Sequence, residues 1–483
     1  MSLAKNSLLY IISTICIKAT SFLLLPLYTY LITPEEYGYV YVTSAFVTFM
    51  SLFMIISLNG SIQRFYFDCS TEKEIKQLYT NIVTIVLILV LCIGSILIVF
   101  RQLISETIGL PLRYYNYAVY ISILSAFYPL ILALLYASEK AKQVSIVTIF
   151  LGIIGIIIQL TLVLVKTDKG LALIQAMFFN ALFSFIIFLI YSKKYFTSPK
   201  FTKKDYLKYC KYSLSQWPSD ISVWLVSFSD RLLLNKLKGA YDTGIYGMGS
   251  TLGQIPQILF HSVNKAYVPY VFRHYKEYEC GNYEAANIIS NVTTKLFSIL
   301  TFIITALIIL SNNIIGILAP QFQNSSYIMP LILLAVLIDC SRIIFMNPLS
   351  YNLKYIKIKS AIWFFSAICN IALNIILIPR YSAIGACLSV IFSYSITLLL
   401  ILFFAKKAMP IQYEILKIRK VLCWSLFFST AIFIGDDMVT LFFKIPLLFL
   451  YTYIICHVNN INHKQVLKLC QNSFLQIKSK LHK

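Results

Sequence analysis

About fourteen apolar runs, each roughly 20 residues long, follow one another along this chain of 483 residues. An α-helix of that length just crosses the hydrocarbon core of a bilayer. No other feature limits the fold as tightly. The runs span approximately 7–32, 38–62, 80–100, 114–137, 144–165, 171–191, 211–235, 243–268, 289–310, 326–350, 358–378, 383–405, 421–435 and 438–457. In lipid, backbone N–H and C=O groups must find partners inside their own segment, so these runs are read as helices. The expectation is an all-α polytopic membrane protein. Composition agrees: 59% of the residues are hydrophobic and 12% are charged, against about 25% charged in a soluble domain.

The net charge of +22 does not point to nucleic acid. Lys and Arg stand in short clusters between the apolar runs, where they set topology. With the N-terminus inside, 28 of the 41 basic residues fall on inner segments. Eight (Arg101, Arg113, Lys166, Lys169, Lys236, Lys238, Arg380 and Lys444) fall on outer loops, and five (Lys18, Arg231, Lys265, Lys295 and Arg342) lie inside spans. This bias predicts a multi-pass protein with both termini cytoplasmic. The first run lacks a small-x-small cleavage site and is read as a retained helix. Eleven Cys occur without a C-x-x-C pair, and five His without an H-E-x-x-H pattern. No disulfide framework, metal site or cofactor is expected.

The two halves echo each other. EEYGYVYVTS (35–44) aligns with YDTGIYGMGS (241–250) at an offset of 206, pairing Gly38 with Gly244. KGLALIQAMF (169–178) echoes IGACLSVIFS (384–393), pairing Gly170 with Gly385. The predicted organisation is a six-helix bundle over 1–191, a basic cytoplasmic linker over 192–209 and a second, pseudo-symmetric six-helix bundle over 210–405. Two additional membrane helices follow over 406–457, then a basic cytoplasmic tail over 458–483. Parallel repeats of this kind enclose a pathway between them.

Polar residues inside the spans are arranged in stripes. At 100° per residue, Gln216, Asp220, Ser227, Asp230 and Arg231 of the seventh span share an arc of about 100°. Ser250, Gln254, Gln257, His261, Asn264 and Lys265 do the same in the eighth, and Ser7, Tyr10, Thr14, Lys18, Ser21 and Tyr28 in the first. The second span carries a looser set ending at Gln63 and Arg64. Charges at bilayer depth are expensive and face protein or water. Four wet faces therefore predict one central cavity. Asp339 and Arg342 of the tenth span stand one turn apart and form a candidate structural ion pair. Ser and Thr also serve as plain helix–helix glue in membranes, and Arg231 can snorkel from the outer end of its span.

Three segments resemble the bacterial polysaccharide-export flippases, the Wzx-type repeat-unit transporters of the superfamily that includes multidrug exporters and lipid II flippases. They are NSLLYIISTICIKATSFLLLPLYTYLITPEEYGYV (6–40), SDRLLLNKLKGAYDTGIYGMGS (229–250) and NIALNIILIPRYSAIGACLSVIFS (370–393). The resemblance implies two six-helix bundles in a V shape and alternating access in a bacterial inner membrane. It implies an undecaprenyl-diphosphate-linked oligosaccharide, an O-antigen or capsule precursor, as cargo, with membrane lipids, a polysaccharide polymerase and a chain-length regulator as partners. Lys18, Arg64, Lys265 and Arg231 would then draw the diphosphate. Thr14, Ser21, Tyr28, Gln63, Gln216, Gln254, Gln257, His261 and Asn264 would line the cavity, and Asp220 or Asp339 would couple an ion gradient. A drug or metabolite exporter is the alternative cargo reading. A membrane polymerase or ligase is the alternative class, but the longest outer loops, near 101–113 and 311–325, hold no acid–base constellation. No catalytic residue is expected.

Overall fold

The computed structural model describes residues 24–199, 202–433 and 438–459, and each apolar run that falls there is helical. The helices are α1 Leu25–Leu31, α2 Pro34–Ile55, α3 Leu58–Phe65, α4 Glu72–Val99, α5 Arg101–Ile108, α6 Leu112–Ser125, α7 Tyr128–Ala137, α8 Ala141–Val165 and α9 Lys169–Ser192. They continue with α10 Lys203–Lys238, α11 Ala240–Gly253, α12 Ile255–Glu279, α13 Glu284–Ile309, α14 Ser311–Gly316, α15 Ile328–Phe345, α16 Asn347–Tyr351, α17 Ile356–Ala408, α18 Ile415–Ser429 and α19 Met438–Val458. No strand occurs among the described residues.

Eight segments there are long and apolar enough to cross a membrane. α10 and α12 fall below that standard because they carry the polar stripes. α17 contains two expected spans, 358–378 and 383–405, joined across the non-helical backbone of Ser382. Large apolar side chains such as Leu91, Ile157, Leu399 and Phe442 stand exposed on the outer faces of their helices. Such a surface suits lipid and not water. The chain is a polytopic all-α membrane protein, as its apolar runs predict.

Local chemistry sets the helix starts and breaks. Thr33 and Glu36 form a reciprocal capping box at the start of α2, with Pro34 in the first turn. Thr71 caps α4, and Asp168 caps α9 by accepting from Leu171 N at 2.9 Å. The second span is interrupted. Ile56 and Ser57 both adopt left-handed backbone (φ 44° and 55°) between α2 and α3, a region where a β-branched residue is an outlier.

The chain divides into two compact units. The first runs through Met248 and adds Leu318–Asn324 and Trp363–Ser393; the second comprises Gly249–Ile317, Ser325–Ile362 and the chain from Tyr394. Val42, Phe46, Ile62, Tyr79, Ile82 and Tyr115 belong to the core of the first. In the second, Ile309 of α13 packs with Phe428 of α18 and Tyr451 of α19, and Thr305 and Ser425 share a hydrogen bond at 2.6 Å.

The repeat is visible inside the first unit. Gly38 lies against the backbone of Ala240, and Gly244 lies against the backbone of Pro34. At an offset of 206, Pro34 corresponds to Ala240 and Gly38 to Gly244, so the contact is its own mirror under the repeat. Small residues four apart on both helices let the backbones touch. Glu36 accepts a hydrogen bond from Gly170 N at 3.2 Å, while its counterpart Asp242 accepts one from the Ser382 hydroxyl. In each half, an acid in the first turn of the second helix thus holds the start of the sixth.

One topological expectation is corrected. Lys444, counted with the outer loops although the run 438–457 includes it, lies within α19, is fully buried and donates to Asn313 Oδ1 at 2.9 Å. Burial of an ammonium requires such a partner, and the apolar sequence on both sides of Lys444 carries it into the helix.

Candidate functional site

Thr14, Lys18 and Ser21 lie outside the described residues. The other candidates divide by depth along their helices. On α10, Gln216 and Asp220, toward the Lys203 end, are exposed, whereas Asp230 and Arg231, toward the Lys238 end, are buried. On α3, Gln63 and Arg64 are exposed. On α12, His261 and Lys265 are exposed, Gln254, Gln257 and Asn264 are half-buried, and Ser250 on α11 is buried. In each unit, then, the stripe is open toward its basic end and closed toward the other.

Arg64 pairs with Asp68 at 2.9 Å, and Lys208 reaches the same carboxylate at 3.3 Å. Lys208 also stands 4.4 Å above the Phe65 ring. The hydrogen bond from Arg64, seconded by Lys208, holds the Asp68 carboxyl below its usual pKa. Gln216 donates to the Tyr212 hydroxyl at 3.1 Å. Asp220 accepts from the Ser57 hydroxyl at 2.6 Å, which ties the seventh span to the break in the second. Trp217 and Trp224 strengthen that tie: their indole N–H groups donate to Leu52 O at 2.8 Å and Thr48 Oγ1 at 3.0 Å.

Arg231 does not snorkel. Its guanidinium is enclosed between the rings of Tyr41, at 3.9 Å, and Phe228, at 4.4 Å. Its Nε is buried without a hydrogen-bond partner. Tyr41 itself lies over Gly247, its counterpart at the offset of 206, so Arg231 sits beside the mirrored helix contact. Asp230 accepts from the hydroxyl of Tyr246. Tyr28 is buried among Ile32, Val163, Ala172 and Leu173.

In the second unit Asp339 and Arg342 form a buried ion pair. Gln257 donates to the second Asp339 oxygen at 2.8 Å, which brings the eighth and tenth spans together. Arg342 reaches Thr397 Oγ1 at 3.4 Å and stands 4.2 Å from the Tyr394 ring centre. One carboxylate and one guanidinium therefore join three spans. Sequence periodicity found the pair, but not the amide or the ring that completes it.

A further polar cluster was missed altogether. Asn370, Asn374 and Ser393 are fully buried, with Asn374 donating to Asn370 Oδ1 at 3.0 Å and Ser229 lying 3.5 Å from that oxygen. The i, i+4 spacing of the two Asn was the available signal.

The fold matches that of "Lipid II flippase MurJ, inward closed conformation", with a TM-score of 0.74 over 92% of this chain and 98% of that one, at 16% identity. It also matches an inward-facing MATE-family multidrug resistance transporter of the MOP superfamily, with a TM-score of 0.58 over 88% of this chain and 96% of that one, at 11% identity. The chain shares the helical fold of these two proteins. Residues 3–275 match the polysaccharide biosynthesis protein family, and the chain belongs to it. Among relatives, a protein of the Lsg locus of Haemophilus influenzae is 25% identical over 368 residues, covering 73% of this chain and 85% of that protein. An uncharacterized membrane protein of the same organism is 22% identical, covering 80% and 95%.

Proposed function

We propose that this protein flips undecaprenyl-diphosphate-linked oligosaccharide units, precursors of O-antigen or capsule, from the inner to the outer leaflet of a bacterial inner membrane. The observation that carries the reading is the conjunction of two likenesses: a polysaccharide biosynthesis family and a fold matching a lipid II flippase over nearly its full length. A lipid-borne glycan is a cargo that fits both likenesses.

The side chains suit that cargo. A diphosphate is drawn by cations, and the open ends of the stripes carry Arg64 and Lys265. Sugar hydroxyls find donors and acceptors in Gln63, Gln216, His261 and Asn264. Lys18 belongs to the same group by sequence periodicity. Arg231, enclosed by Tyr41 and Phe228, becomes available to the diphosphate only when the helix contact beside it opens. The prenyl tail stays in lipid.

The mirrored contact of Pro34, Gly38, Ala240 and Gly244 serves as the outer seal, and alternating access breaks it. Both termini are cytoplasmic, so the open stripe ends face the leaflet where such precursors are made. Asp220 or Asp339 couples the cycle to an ion gradient; Asp220 is the better placed, being exposed, whereas both Asp339 oxygens are already engaged. A polymerase and a chain-length regulator receive the product. The test is restoration of surface glycan in a strain lacking its own flippase, with drug efflux in a pump-deficient strain as the competing outcome.

A further inference from the structure

The backbone at Ile56 and Ser57 is unusual. Two consecutive residues other than Gly stand in the left-handed region, and one is β-branched. Such strain persists only where the surroundings over-determine it, and it gathers at working parts of proteins. Here the surroundings are identifiable. Ser57 Oγ donates to Asp220 Oδ2 at 2.6 Å. Trp217 Nε1 donates to Leu52 O at 2.8 Å, the same carbonyl that accepts from Ile56 N at 3.0 Å. Both holding side chains come from one turn of α10, and Pro218 lies between them. Phe53 packs edge-on against Trp217 at 5.2 Å.

The consequence lies in α3. This eight-residue helix begins at the break and carries Gln63 and Arg64 on its exposed side. The direction of α3, and with it the position of both groups, is fixed by the break.

We infer that Ser57 and Trp217 are positioning residues: through the Ile56–Ser57 break, they and Asp220 aim α3 so that Gln63 and Arg64 meet the diphosphate and first sugar of the cargo. The inference rests on the flippase reading above for the identity of that cargo. It assigns Asp220 a role as hydrogen-bond acceptor that is separate from any part in ion coupling. Removing the hydrogen bond leaves the strained pair unsupported, and α3 relaxes toward a continuous helix with α2.

The test uses the full chain in nanodiscs and proteoliposomes, with spin labels on non-natural residues at positions 35 and 67 and the native cysteines left in place. The distance distribution between the labels reports the bend of the second span. Wild type and Asp220→Asn, whose amide oxygen still accepts from Ser57, are expected to give the same narrow distribution. Ser57→Ala and Asp220→Ala are expected to add a second, longer distance. They are also expected to raise the KM for the lipid-linked unit about tenfold, as loss of one charge-assisted hydrogen bond implies. An unchanged distribution in Ser57→Ala overturns the proposal, as does loss of the bend in Asp220→Asn alongside Asp220→Ala. The distances are read without substrate, so a wild-type protein that holds the bend but flips nothing counts against the flippase reading alone.

Discussion

Gly38 and Gly244 each face the backbone of the residue four before the other, Ala240 and Pro34. The relationship is reciprocal, as a two-fold repeat requires, although the chain is a single polypeptide. A Cβ on either glycine would collide with backbone, and backbone cannot move aside as a flexible side chain can.

Valine at Gly38 or Gly244 is therefore expected to destabilise the protein by about 1–3 kcal/mol or more, the usual cost of overpacking. Thermal unfolding in detergent, followed by intrinsic fluorescence, should show a lower Tm for each variant. Gly281, whose added Cβ would meet open space but whose φ is 94°, separates the two causes: alanine there costs through backbone strain alone.

The Asp339–Arg342 pair gives a second expectation. Removing one member leaves a buried charge uncompensated, so Asp339→Ala or Arg342→Met should cost about 3–5 kcal/mol. Replacing both by apolar residues of similar size, as in Asp339→Leu with Arg342→Met, should recover most of the loss. A double variant as unstable as the worse single variant would show that the charges do more than hold three spans together.

How much of this could be read beforehand depends on what periodicity records. The apolar runs mark the spans because lipid admits little else, and the echo of Gly38 with Gly244 marked a true contact because only residues without side chains fit there. The arc on α10 groups Asp220, Asp230 and Arg231 by helical period alone. It could not say that Gln216 and Asp220 would be open and Arg231 covered, since coverage depends on Tyr41 from another helix. Lys444 was misplaced because a charge near a run's start looks like a loop until a buried partner, Asn313, is seen. The Ile56–Ser57 break has no Gly or Pro to announce it. Its cause lies in Ser57, Trp217 and Asp220, which come together only in the fold.

Acid should act on one exposed cluster in a defined direction. Asp68 has a lowered pKa beside Arg64 and Lys208. A carboxylate whose pKa is lower in the folded state contributes stability above its unfolded value, near 3.9, and loses it as pH falls through the folded value. The Tm difference between wild type and Asp68→Asn should accordingly be largest at neutral pH and vanish at the acid end. Both groups are largely exposed, so the difference is expected to be small and to shrink with added salt.

Cargo binding should follow the cations at the open stripe ends. Arg64→Ala and Lys265→Ala, and likewise Lys18→Ala, are expected to slow flipping at unchanged expression, with at most the small Tm change that loss of the Arg64–Asp68 pair brings. The exposed Lys166, on a loop assigned to the outer side, supplies the control: Lys166→Ala should flip at the wild-type rate. Equal activity of all four would remove the diphosphate role from these residues.

Transport of a lipid-linked glycan can be followed in proteoliposomes containing the purified full chain and a fluorescently labelled undecaprenyl-diphosphate oligosaccharide. Accessibility of the label to a membrane-impermeant quencher reports its leaflet over time. A flippase should redistribute the label between leaflets in a way that requires the protein and slows in Arg64→Ala. A leaflet distribution identical to that of protein-free vesicles, from protein shown to be folded and to export a small cationic drug, would contradict this function.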